Sequence, residues 1–209
     1  DKARYLGMYK EWKQNRREMQ KSIENGVNTT DILDGVTVVE NGRWDAGISI
    51  LKGSLAPNGA VIKVAAASKK FYEHTGKALV FDSSLELSNE IDNPDLDVDE
   101  NTILILRNNG PVGGQGMPES GFLPIPKKLL DKGVRDIVRI SDARMSGTAF
   151  GTIILHVSPE SYIGGPLSLV ENGDLISLSI KNKTIDLIVE EDVLKTRKAK
   201  LKPNYQIKD

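Results

Sequence analysis

Short runs of β-type residues, each ended by Gly, Asn or Pro, constrain the fold of this chain most strongly. Branched apolar residues fit a pleated sheet surface, whereas Gly, Asn and Pro favour turns, so each run predicts a strand. The runs are Val36–Val39, Ile48–Leu51, Val61–Ala65, Ala78–Phe81, Thr102–Leu106, Ile137–Ile140, Thr152–Val157, Leu175–Ile180 and Thr184–Val189. The pattern predicts a mixed α/β but β-rich chain, folded as a barrel or sandwich with a few flanking helices.

Helical patterns are few and short. The predicted helices are Ser84–Ile91, Pro126–Lys132, Pro166–Glu171 and Asp192–Lys200, and Asp192 is the expected N-cap of the last one. Asn182 lies in a tight polar turn between the last two predicted strands, which indicates a β-hairpin.

The first 34 residues differ in character from the rest. Between residues 2 and 24, apolar residues recur at helical spacing and basic residues are frequent at the remaining positions. We predict that residues 1–34 form an amphipathic helix and a linker, which pack on the same protein or bind a partner or membrane surface. Residues 35–209 are predicted to form one β-barrel domain.

Composition excludes several classes of function. The chain carries 28 Lys and Arg against 29 Asp and Glu, so it has no overall basic field to attract nucleic acid. No apolar run approaches the roughly 18 residues of a membrane span. Cysteine is absent, so the chain alone cannot ligate an iron–sulfur cluster through thiolates, and we expect a cytoplasmic protein. The first residue is Asp1, which suggests a fragment or a processed chain.

Two loops are the candidate functional segments. The first, residues 108–121, follows an apolar strand and contains five glycines, which allow close backbone approach and an anion cradle of N–H groups. Glu119 is its one carboxylate, either a Mg²⁺ ligand or a solvated or capping residue. The second loop, residues 140–151, carries Ser146 and Thr148. Its backbone N–H groups could face an anion if a helix or turn begins here. The alternative is that Ser141, Asp142, Ser146 and Thr148 only make local caps and turns.

The chain has two histidines, His74 and His156. His156 lies in an apolar run, so we predict a core histidine whose hydrogen bonds are satisfied. A serine hydrolase is poorly supported, because the Gly-x-Ser-x-Gly nucleophile turn is absent.

Four segments resemble the dihydroxy-acid / 6-phosphogluconate dehydratase family. They are Leu51–Pro57 continued by Gly59–Lys63, then Gly110–Glu119, then Ser141–Thr148, and finally His156–Glu160 continued by Gly164–Pro166. With Gly173 and Asp174, the resemblance covers about residues 47–198 in the family's order. It implies the C-terminal domain of a larger enzyme, with an aconitase-like swivelling β-barrel.

The resemblance also implies cofactors and partners. A separate N-terminal domain would supply the cysteines of an iron–sulfur cluster and further Mg²⁺ ligands, and the enzyme would be an oligomer. In this chain, Glu119 matches the Mg²⁺-binding glutamate, Ser146 matches the serine proposed as general base, and Thr148 is placed to contact the substrate carboxylate. The implied reaction removes water from a 2,3-dihydroxy acid and gives a 2-keto acid.

The second loop favours one substrate class. Its sequence Ser-Asp-Ala-Arg-Met-Ser-Gly-Thr resembles members that act on sugar acids such as arabinonate and xylonate. The alternative within the family is a dihydroxy-acid dehydratase of branched-chain amino-acid synthesis. Alternatives of another class are a non-catalytic isolated domain that binds a partner, and an anion- or nucleotide-binding protein using Gly110–Gly116. We expect the isolated chain to lack dehydratase activity.

Overall fold

The computed structural model describes residues 47–114, 123–146 and 149–201. The predicted helix within residues 2–24, the predicted strand Val36–Val39 and the boundary between residues 34 and 35 lie outside this part of the chain. These three features therefore stay predictions.

In the part of the chain that the structure describes, eight strands form one sheet. They are β1 (Ile48–Leu51), β2 (Gly59–Lys63), β3 (Glu73–Phe81), β4 (Ile103–Leu106), β5 (Val138–Ser141), β6 (Ile153–Ser158), β7 (Leu175–Ser179) and β8 (Thr184–Ile188). Their spatial order is β1-β2-β6-β5-β4-β3-β7-β8. The four central strands β6, β5, β4 and β3 are parallel to one another, and the strands at both ends pair antiparallel.

The sheet curls into a nearly closed barrel. Lys52, directly after β1, forms a parallel bridge with Thr184 at the start of β8. The Lys52 amide donates to the Lys183 carbonyl oxygen at 2.9 Å, and the Ile185 amide donates to the Lys52 carbonyl oxygen at 3.0 Å. These bonds join the two end strands of the sheet, so part of each edge is paired.

The alternating residues of β4 show how the interior is divided. Ile103 and Ile105 belong to a core cluster shared with β2, β7 and β8, whereas Leu104 and Leu106 belong to a second cluster on the opposite face. Because a parallel strand covered on both faces must be apolar throughout, β4 appears in the sequence as an unbroken apolar run.

Three α-helices accompany the sheet within the described residues. They are α1 (Ser84–Glu90), α2 (Lys127–Leu130) and α3 (Glu191–Lys200), and four short 3-10 segments occur in the connections. Leu87 of α1 and Leu129 of α2 are buried in the second cluster, so these helices cover the outer face of the parallel strands. None of the helices within the described residues has the length and apolar character to cross a membrane.

Most predicted elements occur with shifted ends. Ile48–Leu51 matches β1, and the predicted hairpin around Asn182 is present as β7 and β8. The strand predicted to end at Ala65 ends at Lys63, where a 3-10 turn begins, and the helix predicted from Pro166 is also a 3-10 turn. Asp192 is not the N-cap of α3, because that helix already begins at Glu191. The coarse prediction of a β-rich, barrel-like chain with few helices is confirmed.

Candidate functional site

The parallel strands bring both candidate loops to one edge of the sheet. The carboxyl ends of β4, β5 and β6 are neighbours, and the segments that follow them begin at Arg107, Asp142 and Pro159. Ligand sites of sheets with parallel strands commonly lie at this edge, because the loops there converge. The first loop follows β4 and the second follows β5, so the topology explains why two distant sequence motifs meet.

Asp142 links the three segments that follow β4, β5 and β6. Its side chain is buried, and one carboxylate oxygen accepts a hydrogen bond from the Asn109 amide at 2.9 Å. The other oxygen accepts from the Ser161 amide at 2.9 Å and also from the Ser161 hydroxyl. The sequence allowed only a local turn for Asp142, whereas the structure makes it a link between the segments after β4, β5 and β6. Ser141 does make the expected local bond, accepting from the Ala143 amide.

The Glu160 carboxylate accepts hydrogen bonds from two N–H groups of the first loop, which is called the glycine loop below. The Val112 amide donates to both carboxylate oxygens at 3.0 Å, and the Gly113 amide donates to one of them at 3.1 Å. The sequence predicted that this loop could cradle an external anion. In the structure, these two donors instead bind a carboxylate of the same chain, which argues against a nucleotide phosphate at this position.

Gly110 is required by the same contact. A Cβ atom at this position would lie 2.0 Å from a carboxylate oxygen of Glu160 and 2.7 Å from its Cβ. Any larger residue would therefore displace Glu160 and release the amides of Val112 and Gly113.

Replacement of Glu160 by alanine is expected to loosen the glycine loop. The free energy of unfolding should fall by about 2–3 kcal/mol, because two amides lose their acceptor and a buried charge-assisted contact disappears. Amide hydrogen exchange should accelerate at Val112 and Gly113 more than elsewhere. Glu160→Gln is the matched control, since its one amide oxygen can still accept from both donors. Unchanged exchange in Glu160→Ala would contradict the assignment.

A buried ion pair holds the distal ends of both loops. Arg139 on β5 donates to Asp136 at 3.0 Å, and each side chain is only 6% exposed. Arg139 also donates to the carbonyl oxygens of Leu123 at 2.7 Å and Phe150 at 3.1 Å. Leu123 follows the first loop and Phe150 lies at the end of the second loop. One guanidinium group therefore holds the backbone at the C-terminal ends of both loops.

Asp136 completes this anchor. Its two oxygens accept from the Thr152 amide at 3.0 Å, and one accepts from the Thr152 hydroxyl at 2.7 Å. Gly151 has φ of +88°, and a Cβ atom there would lie 2.3 Å from an Arg139 nitrogen. Burial lowers the pKa of Arg139 from its ordinary value, while the Asp136 carboxylate opposes that shift. The pair is therefore a structural ion pair beneath the site.

A cleft of about 480 Å³ opens beside the loops. Its walls include Asn58, Val112, Asp142, His156 and Glu160. A larger cavity of about 640 Å³ lies at the amino end of β4 and is lined by residues such as Asp95, Asp97 and Asp99. The smaller cleft is the better candidate, because it lies at the carboxyl edge where the motif-bearing loops meet.

His156 is not the core histidine that the sequence predicted. It is half-buried and lines the cleft, although its Nε2 atom is satisfied by the Met145 amide, which donates at 2.8 Å. Burial, and to a lesser degree the nearby Arg144 guanidinium, lowers the pKa of His156. The prediction failed because an apolar sequence run cannot show that a strand ends beside a cleft.

The predicted site residues fall in different parts of the chain. Ser146 is half-buried in the second loop, and its carbonyl oxygen accepts from the Ala149 amide at 3.1 Å. Glu119 and Thr148 lie outside the described residues, so their roles stay predictions. Among the described residues, no group of three or more His, Asp or Glu side chains could hold a metal ion.

Four residues that organise the site had no anchoring role in the sequence-based prediction: Asp136, Arg139, Asp142 and Glu160. A usable signal was present for two of them. Asp142 and Glu160 are acidic residues that closely follow two successive predicted strands, and such residues gather at one edge when the strands are parallel. Asp136 and Arg139 carried no such signal, since charged residues beside a strand are usually solvated.

Comparison with known proteins agrees with the resemblance seen in the sequence. The family described as "Dihydroxy-acid/6-phosphogluconate dehydratase C-terminal" matches residues 37–209, which extends the sequence-based resemblance from about residue 47 toward the amino terminus. A 6-deoxy-6-sulfo-D-gluconate dehydratase of Pseudomonas putida is 52% identical over 77% of this chain and 28% of its own length.

Two further relatives represent both substrate classes. An L-arabinonate dehydratase of Rhizobium leguminosarum bv. trifolii is 47% identical over 77% of this chain and 28% of its own length. A dihydroxy-acid dehydratase of Methanoregula boonei is 45% identical over 75% of this chain and 28% of its own length. The chain thus spans a little over a quarter of each relative. It belongs to the dihydroxy-acid/6-phosphogluconate dehydratase family and matches the C-terminal domain of that family.

Proposed function

We propose that this chain is the C-terminal catalytic part of a hydro-lyase that dehydrates a 2,3-dihydroxy sugar acid to a 2-keto acid. The observation that carries the proposal is the cleft at the carboxyl edge of the parallel strands, where both motif-bearing loops meet. The loop that contains Ser146 is held there by Asp142 and His156. Relatives named as dehydratases of arabinonate and sulfogluconate support the reaction class.

Ser146 is the proposed general base. The C2–H electron pair becomes the C2–C3 double bond as the C3–O bond breaks, and the hydroxyl leaves as water after gaining a proton. The resulting enol then tautomerises to the 2-keto acid. Serine is a very weak acid, so it could act as an alkoxide only where cations and N–H donors strongly lower its pKa. Thr148, two residues further, is the proposed contact of the substrate carboxylate.

Mg²⁺ and an iron–sulfur cluster are the proposed cofactors, with Glu119 as the Mg²⁺ ligand that this chain contributes. When bound, they would act as Lewis acids on the oxygens of the substrate. The chain does not fit the cluster, because it has no cysteine, and the described residues contain no metal-binding group. Both cofactors therefore require an N-terminal domain, which is the proposed partner in a cytoplasmic oligomer. From the family resemblance, we also propose that the barrel is of the swivelling, aconitase-like type.

A sugar acid is the preferred substrate, and a branched dihydroxy acid is the alternative. The test compares kcat/KM of the complete enzyme for aldonates such as L-arabinonate and for 2,3-dihydroxy-3-methylbutanoate, with 2-keto acid formation as the readout. We expect preference for an aldonate by at least about 10²-fold, because polar groups built for extra hydroxyls lose their partners with an apolar substrate.

The isolated 209-residue chain is the control and should give no keto acid, because cofactor ligands are missing. Preference for the branched acid would contradict the substrate assignment. Failure of the complete enzyme with every dihydroxy acid would contradict the reaction class, and turnover by the isolated chain would contradict the need for a second domain.

A further inference from the structure

We propose that His156 is a positioning residue, which must stay neutral with its proton on Nδ1 to hold the loop that carries Ser146. This inference goes beyond the proposed function, because it adds a pH-sensitive residue that supports the proposed base. Only the expected effect of His156 on activity rests on the proposed function. Its structural content can be tested without any assay of turnover.

The geometry of His156 is unusual for a strand residue. His156 lies within β6 but has a positive φ of 56°, a conformation that residues other than glycine seldom adopt. Its own amide donates to the Ala143 carbonyl oxygen at 2.9 Å, and its Nε2 atom accepts from the Met145 amide at 2.8 Å. One residue therefore binds the second loop at two points, and the second point directly precedes Ser146.

The hydrogen bond fixes the tautomer. A backbone amide can only donate, so Nε2 must carry a lone pair, and the proton of the neutral ring must be on Nδ1. Protonation would place an Nε2–H group against the Met145 N–H group. The two donors would repel each other, and the segment from Met145 to Ser146 would lose its support.

The surrounding charges favour the neutral ring. Arg144 lies on the loop that His156 holds, and its positive charge adds to the effect of burial in lowering the pKa of the imidazole. Asp142 and Glu160 line the same cleft, but each of these carboxylates already accepts hydrogen bonds from amides of other segments. His156 therefore remains neutral at neutral pH.

The sign of the pH dependence follows. An unperturbed histidine has a pKa of about 6.5, and the folded value of His156 is lower. The unfolded chain thus binds a proton more readily, so the contribution of His156 to stability is complete above about pH 6.5. That contribution is lost as the pH falls through the lowered pKa, and the support of the loop is lost with it.

The first test is nitrogen-15 NMR of the two imidazole rings in the 209-residue chain. The sequence has only two histidines, and they should show opposite tautomers. His74 donates from Nε2 to the Asn101 carbonyl oxygen at 2.9 Å, whereas His156 accepts at Nε2. We expect protonated Nε2 in His74 and protonated Nδ1 in His156, with the Met145 amide resonance shifting as His156 titrates. An Nε2–H tautomer of His156 would overturn the inference whatever the activity.

The second test uses two amide substitutions in the complete enzyme. In His156→Gln, the side-chain oxygen can reach the former Nε2 position and accept at every pH. In His156→Asn, the side chain suits the positive φ but is too short. We expect kcat to fall about 100-fold in the asparagine variant with KM little changed, because displacement of a reacting group by about 1 Å has this effect. The glutamine variant should retain more activity.

The pH profile separates positioning from simple packing. In the wild type, kcat should fall as the pH drops through the lowered His156 pKa, and this acidic limb should disappear in His156→Gln. The matched control His74→Gln should keep the wild-type profile. Retention of the limb in His156→Gln would contradict the inference. If Ser146→Ala proves active while the tautomers are as expected, the base role of Ser146 fails and the anchoring role of His156 stands.

Discussion

Replacement of Asp136 by alanine is expected to lower the free energy of unfolding by about 3–5 kcal/mol, the largest stability effect of any single substitution proposed for this domain. The change leaves the Arg139 guanidinium buried without its counterion and removes the acceptor of the Thr152 amide and hydroxyl. Urea unfolding of the 209-residue chain, monitored by circular dichroism, measures this loss.

The exposed pair Lys127–Asp131 provides the matched control. Its atoms are 2.7 Å apart, but both side chains are more than 60% exposed. Asp131→Ala should therefore change the stability far less, because water replaces the lost partner. If Asp136→Ala were as mild as Asp131→Ala, the buried pair could not be the anchor of the two loops.

A double-mutant cycle measures the interaction free energy of the Asp136–Arg139 pair. Removing Arg139 as well, in Asp136→Ala with Arg139→Leu, should recover part of the stability, because the uncompensated charge is then gone. It should not restore the carbonyl contacts to Leu123 and Phe150, so both loops should still exchange amide hydrogens faster than in the wild type.

Strand positions could be predicted from the sequence because the local pattern and the burial agree. β4 is apolar throughout since both its faces are covered, and the hairpin of β7 and β8 has turn residues between two apolar runs. The spatial order of the strands could not be read in this way. β6 lies between β2 and β5, a neighbourhood that depends on long-range packing and not on any local signal.

The candidate site was predictable in its loops but not in its anchors. Glycines and hydroxyl residues identified both loops, because unusual backbone and polar side chains stand out between strands. The ionic contacts that hold the loops join residues separated by up to 48 positions, as Val112 and Glu160 show. Such contacts exist only once the parallel strands are in register, so a single sequence gives no direct sign of them.

These anchors have one physical consequence in common. Asp142, Glu160 and the Asp136–Arg139 pair are all buried charges whose partners include backbone amides or carbonyls within the candidate loops or beside their ends. A buried charge without its partners is unfavourable, so moving the loops away from these charges has a large free-energy cost. The described parts of both loops are therefore held in place before any ligand binds, which would suit the proposed role of Ser146 as a base.

Substitution of Ser146 by alanine should lower kcat of the complete enzyme by about 10²–10⁴-fold, the range that general-base catalysis contributes. The alanine side chain cannot accept the C2 proton, whereas the loop, held by Asp142 and His156, should keep its position. KM and the melting temperature are expected to stay near the wild-type values, because a group that acts on the transition state contributes little to ground-state binding.

Ser177→Ala is the matched control for this experiment. It removes the same hydroxyl from another half-buried position, on β7, and should leave kcat unchanged. A kcat of Ser146→Ala within a few-fold of the wild type would remove Ser146 from the base role. A fall in kcat accompanied by an equal loss of stability would instead indicate damage to the loop. Only a large loss of kcat in a normally stable variant fits a serine that takes the C2 proton.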